Sequence, residues 1–200
     1  MKKSTHRYKF IGGSLALDFV NTVADRFHPE KMEDRLQTVD HVRNWFTQAS
    51  AVHSLSSEVL AQVDAHTVTR LRAARAHLHV LFDAIASGNP IPVRALTWLD
   101  SELRKCTSRR RLVIERQEVR RVWSSNATRI DMLLYPLLMA AADLLTQAEA
   151  GSLRRCCDAT CGWLFVDQSN ARRRRWCIMA DCGNRNKVKA HYQRQKVKAS

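Results

Sequence analysis

Residues 156–182 read CCDATCGWLFVDQSNARRRRWCIMADC. Cys156-x4-Cys161, fifteen intervening residues and Cys177-x4-Cys182 form two thiol pairs at equal spacing. Zinc takes four thiolates tetrahedrally, and a close pair lets one turn of backbone offer two ligands to one ion. The alternative is four buried cysteines acting as small hydrophobes. Two equally spaced pairs beside glycines are hard to obtain from core packing alone. With every position filled by sulfur, no place remains for water or substrate, so the pattern predicts one structural Zn2+. Cys157-x3-Cys161 is also a workable spacing, but the symmetry of the two x4 gaps favours Cys156.

The rest of the composition places this motif. The chain has 200 residues and a formal net charge of +14, from 33 Lys and Arg against 19 Asp and Glu. Residues 151–200 hold 12 of those cations and only 3 of the acids, so the positive charge is concentrated in the C-terminal quarter. Such a bias argues for an anionic partner, with nucleic acid first. A segment of that length with little apolar content folds poorly alone, so metal binding is expected to supply much of its folding free energy. We therefore expect a helical domain over 1–150 and a zinc module over 151–200.

The N-terminal part reads as helices. Thr38 can cap a helix carrying Val39, Val42, Trp45 and Phe46. The next begins at Ser56 or Ser57, buries Leu60, Val63, Leu71, Leu78, Phe82 and Ile85, and ends at Gly88. Pro92 suits the first turn of another, with Val93, Leu96, Leu99 and Leu103 as its apolar stripe. RLVIERQEVRRVW (111–123) predicts a short β-hairpin. The stretch 126–151 predicts a buried central helix that Pro136 kinks and Gly151 closes. The fold class expected is mainly α: a helical N-terminal domain with a short β-hairpin, then a small four-cysteine module ending in a basic helix. The longest uncharged apolar run, MLLYPLLMAAA (132–142), is well short of the roughly 18 residues that a membrane span needs. The opening residues carry no signal-peptide pattern. A cytoplasmic, nucleoid-associated protein with reduced thiols and no membrane partner is expected.

The C-terminal segment resembles the CGNR zinc finger, named for the tetrad found here as Cys182-Gly183-Asn184-Arg185. The likeness runs through Cys156, Cys161, the WLFVD of 163–167, the RRWC of 174–177, Met179 and the tail from Lys187 to Arg194. It too favours Cys156, although the family pattern does not call for a cysteine at 157. The opening GGSLALDFVNT resembles the start of the ABATE domain, through Gly12, Gly13, Leu17, Asp18, Asn21 and Thr22. Proteins with both parts are regarded as transcription regulators whose finger binds DNA, and the resemblance implies that role here.

The tail's own residues support a nucleic-acid partner. As a helix, GNRNKVKAHYQRQKVKA puts Lys187, His191, Arg194 and Lys198 on one cationic face. Val188 and Tyr192 fall together on a side expected to pack on Trp163, Phe165 or Trp176. Arg185 and Asn186 are of the types that read guanine and adenine edges. Arg172, Arg173, Arg174, Arg175, Arg185, Asn186, Lys187, Lys189, His191 and Arg194 are thus the candidate contacts to duplex DNA. A solvated charged face, or pairing of one arginine with Asp167 or Asp181, is the alternative for the arginine run. RNA, with Trp163, Trp176 and Tyr192 stacking on bases, and a zinc-stabilised protein-docking module are the competing partner classes. Homo-oligomerisation through the apolar helices is compatible with these readings.

Asp18, Asn21 and Thr22, three and four apart in an apolar stretch, could line a pocket for a small-molecule effector. They could equally be satisfied packing residues. The histidines show no His-x3-His with an adjacent carboxylate, and neither Gly-x-Ser-x-Gly nor a P-loop occurs. The sequence offers no catalytic set, and no enzyme activity is expected.

Overall fold

The computed structural model describes residues 6–53, 60, 63–147 and 151–198, without the side chains of Val197 and Lys198. In chain order it holds α1 (Leu15–Val20), β1 (Val23–Ala24), β2 (Glu33–Asp34), α2 (Val39–His53), α3 (Ala65–Ala86) and α4 (Val93–Ser108). There follow β3 (Arg110–Glu115), β4 (Glu118–Trp123), α5 (Arg129–Thr146), β5 (Leu153–Arg155), β6 (Leu164–Val166), one π-helical turn (Met179–Gly183) and α6 (Asn184–Lys198). The strands form three separate antiparallel pairs, β1–β2, β3–β4 and β5–β6. The protein is mainly α, with a short hairpin and a C-terminal four-cysteine cluster leading into a helix.

Helix ends follow local chemistry. Thr38 Oγ1 accepts from His41 N at 3.1 Å at the start of α2. Asp64 caps α3 by accepting from Thr67 N at 2.7 Å. This cap sets the start of α3 at Ala65, while Ser56 and Ser57 lie outside the described residues. Gly88, with φ +68°, ends α3 as expected. Pro92 stands just before α4 rather than in its first turn. The buried stripe of α4 is Ala95, Leu99, Glu102 and Cys106, so Val93 and Leu96 face water instead.

A reciprocal cap opens α5: Thr128 N donates to Asp131 Oδ2, and Asp131 N donates to Thr128 Oγ1. The helix runs unbroken through Pro136 and ends at Thr146, five residues short of Gly151. Pro136 lies on its half-exposed side, while Leu133, Leu134, Leu137 and Leu138 hold the buried face. Packing there offsets the lost backbone bond.

α1 is buried along its whole length and packs between α3 and α5. Its Phe19 packs in a core with Trp45, Phe46, Leu71, Leu78 and Phe82. Leu153, Leu164 and Val166, from β5 and β6, belong to this same core. The C-terminal segment therefore completes the helical core instead of hanging from it. Among the described residues no helix is long and apolar enough to cross a membrane.

Candidate zinc centre and basic surface

β5 ends where Cys156 begins, and β6 starts three residues after Cys161, so the β5–β6 turn presents the first thiol pair. Within it Asp158 Oδ1 accepts from Thr160 N (3.0 Å) and Oγ1 (2.6 Å), folding the loop back on itself. Gly162 follows with φ +71°, and a Cβ there would sit 2.9 Å from Arg26 Cβ. Only glycine fits that turn against the N-terminal chain. Asp167 makes a second such loop, accepting from Ser169 N and Oγ through Oδ1 and from Arg174 N through Oδ2. That loop returns the chain to Cys177, and the π-helical turn carries Cys182.

The four Sγ atoms of Cys156, Cys161, Cys177 and Cys182 lie within 4.8 Å of one another, and all four residues are buried. Cys177 Sγ is 3.6 Å from both Cys161 Sγ and Cys182 Sγ. A tetrahedral site with Zn–S near 2.3 Å has edges of about 3.8 Å, so the cluster fits one zinc ion. Cys157 is exposed, and its backbone N–H is spent on Arg175 O. Cys156 is thus the first ligand, and the site is structural, closed by four sulfurs.

Four thiolates around Zn2+ carry a net charge of about −2, which the surrounding groups must balance. Arg185 does this: its guanidinium lies 3.2 Å from Cys182 Sγ and 2.9 Å from Asp158 Oδ2. Burial lowers the affinity of this guanidinium for its proton, but Asp158 and Cys182 outweigh that and hold its pKa above the ordinary value. Asp158 is held below the usual carboxylate range: burial opposes the shift, and the Thr160 and Arg185 bonds override it. Asn186 joins them, donating to Asp158 Oδ2 (2.6 Å) and Cys182 O (2.8 Å). A Cβ at Gly183 would fall 2.4 Å from Met179 Sδ, so a larger residue there would require that half-exposed side chain to shift.

The structure thus divides the ten basic and amide candidates. Arg185 and Asn186 face the metal site. Arg174 is built into the finger: it lies over the Phe165 ring (4.2 Å) and donates to Trp176 O and Cys177 O. Arg172, Arg173, Arg175, Lys187, Lys189, His191 and Arg194 are exposed. Arg175 stacks on Trp176, which is itself half-buried against the finger's small core. Val188 and Tyr192, expected to pack inward, are 54% and 62% exposed. α6 is held at its start, by the π-helical turn and by Arg185 and Asn186 on Asp158, and from Lys187 to Lys196 its side chains are exposed apart from Ala190. Trp163, one of the residues an RNA partner would stack on, is buried with Nε1 bonded to Val23 O.

Asp18, Asn21 and Thr22 are buried and engaged by the chain itself. Asp18 accepts from Gly12 N (2.8 Å) and lies 3.0 Å from His53 Nε2. Burial raises its pKa, against the opposing bonds of Gly12 and His53. Asn21 donates to Leu164 O (2.8 Å) and accepts from Leu164 N (2.9 Å). Thr22 Oγ1 donates to Phe19 O and accepts from Arg75, which also grips Asp34 with both terminal nitrogens. All three side chains thus have hydrogen-bond partners within the chain. What sequence reasoning missed is the seam itself. Val166 N donates to Gly12 O, and Arg26 N and Phe27 N donate to Cys161 O and Thr160 O. Lys9–Asp181, Arg155–Asp83 and the longer Arg185–Asp25 pair cross the same seam.

Fold and site together define a helical protein whose core is completed by a structural four-cysteine zinc finger. Comparison with known families agrees. The chain belongs to the ABATE family, described as "Putative stress-induced transcription regulator", whose model matches residues 13–148. The CGNR zinc finger matches residues 152–195. A search of curated proteins finds no match.

Proposed function

We propose that this protein is a DNA-binding transcription regulator of the cytoplasm and nucleoid. In this reading residues 1–150 form its helical body and 151–200 its DNA-facing module. The observation that carries the reading is the freestanding basic helix α6. Successive helical residues are about 100° apart. Lys187, His191 and Arg194 therefore share one side, and Lys189 and Lys196 lie roughly opposite. Val188 and Tyr192 lie between these two rows, exposed. A helix lying in the major groove needs this arrangement: cations on both flanks for the two phosphate walls, and a contact face for base edges between them. Arg173 and Arg175 border a shallow depression with Trp176 and Met179, whose turn leads straight into α6, so they extend the same surface.

The deep, narrow major groove of A-form RNA does not admit such a helix, and burial of Trp163 removes one stacking group. The polar groups of Asp18, Asn21 and Thr22 are engaged by the chain itself, which leaves an effector little to bind there. The test is binding of zinc-loaded and chelated full-length protein to random duplex DNA at two salt concentrations. Zinc-dependent binding that weakens steeply with salt supports the reading. A zinc-loaded protein without affinity for any duplex at low salt overturns it.

A further inference from the structure

The β3–β4 hairpin exposes an apolar stripe: Leu112 is 70% exposed, Ile114 76% and Val119 70%. Arg116 and Gln117 form its two-residue turn, both in the left-handed region (φ +49° and +66°), which is the geometry of a type I′ turn. Arg110 lies over Trp123 and Tyr135 and holds the base against α5. Among the described residues β3 pairs only with β4, so its outer edge is open.

The hydrogen-bond phase of that edge follows from the register. Ser124 N donates to Arg109 O at 2.9 Å, and Arg110 opposes Trp123. Arg109, Arg111, Val113 and Glu115 therefore turn their backbone groups toward β4, because bonded pairs alternate along an antiparallel ladder. Leu112 and Ile114 turn theirs outward, to the open edge. An open edge with apolar side chains at its centre is a template for another strand.

We propose that two copies of this chain pair antiparallel through β3, about a two-fold axis at Val113. That register sets Leu112 opposite Ile114 of the second copy, with their outward backbone groups in a bonded pair. It also sets Arg111 opposite Glu115, twice by symmetry, so the charges attract. Centring the axis on Leu112 instead is allowed by the backbone but sets Arg110 opposite Ile114 and Arg111 opposite Val113, with no charge match. The β4 edge is unsuited, since a two-fold at either of its central residues sets Arg120 or Arg121 against its own copy, and like charges directly opposed repel. The result is a four-stranded sheet in which each apolar stripe adjoins the other.

The test uses zinc-loaded full-length protein carrying Cys157→Ser, so that no native exposed thiol confuses cross-linking. Sedimentation is expected to show a dimer. Ile114→Glu yields a monomer with unchanged melting temperature, and Arg111→Glu raises the dissociation constant about tenfold. The charge swap Arg111→Glu with Glu115→Arg restores the dimer. Val113→Cys gives a disulfide-linked dimer under mild oxidation, because residues in a non-bonded antiparallel pair are about 4.5 Å apart at Cα. A protein that stays monomeric at about 100 µM, well above the micromolar range of a modest interface, overturns the proposal. So does a dimer that survives Ile114→Glu, or a charge swap that fails to restore association.

Discussion

The carboxamide of Asn21 pairs with both backbone groups of Leu164, 143 residues away, as a neighbouring strand would. Leu164 is fully buried and lies in the main core. One side chain near the N-terminus thus serves as the missing strand partner of the zinc finger's β6.

Replacing Asn21 with Ala strands a buried N–H and a buried C=O together. The expected cost is about 2–4 kcal/mol, from one to three for each unsatisfied group with partial rescue by water. Urea unfolding monitored by helical circular dichroism measures it. A loss below about 0.5 kcal/mol would mean that the pairing is not made in solution.

Chelating zinc should lower the stability of the entire chain. Leu153, Leu164 and Val166 are core residues held in place by the metal loops, and structural zinc contributes about 10 kcal/mol or more to the modules it folds. The helical signal is expected to melt in one transition, shifted down by about 10 °C or more on chelation. A helical melt indifferent to chelator would refute a shared core. Cys157→Ser should keep one zinc per chain, while Cys156→Ser should lose it.

Arg185→Ala should weaken zinc binding about 10- to 100-fold, as loss of groups supporting a metal's ligands does. Lys187→Ala, two residues on and exposed, should leave zinc affinity unchanged. Competition with a chromophoric chelator distinguishes them. Equal behaviour of the two variants would remove Arg185 from the metal site.

The arginine run should divide by function. Arg174→Ala loses the Phe165 stack and two hydrogen bonds to backbone carbonyls, so its melting temperature falls. Arg172→Ala with Arg173→Ala keeps the melting temperature but shrinks the salt slope of DNA binding by about 0.9 for each phosphate no longer neutralised. An unchanged slope in the double variant would take these two off the DNA surface.

Acid should destabilise the fold through His79, a residue of α3. Burial, aided by the charge of Arg26, lowers its pKa from 6.5 to about 4. The unfolded chain therefore takes up a proton that the folded one refuses. This contribution to stability is present above pH 6.5 and is lost as pH falls toward 4. His79→Leu should flatten that part of the stability–pH curve; an unaltered slope would place the acid sensitivity elsewhere.

Spacing made the metal centre legible, since four sulfurs at matched intervals suit one tetrahedral ion far better than they suit core packing. Periodicity gave α2, α5 and the hairpin for the same local reason. It found Leu99 and Leu103 of the α4 stripe but misplaced Val93 and Leu96, because which side is buried depends on where α3 and α5 lie. The four consecutive arginines are identical in sequence, and only the return of the chain past Asp167 singles out Arg174. Arg185 and Asn186 have the chemistry of base readers, but Asp158, 27 and 28 residues earlier, claims both in the fold. Asn21 could be suspected from its apolar setting, but its partner is set by tertiary pairing.

The shared core limits how this finger can be transplanted. Excised and fused to another scaffold, residues 151–198 would bring Leu153, Leu164 and Val166 to the surface and leave Trp163 Nε1 without its acceptor. A chimera that keeps the basic helix therefore has to carry the N-terminal body with it. Recombination of such fingers between proteins would favour exchange of the whole chain over exchange of the finger alone.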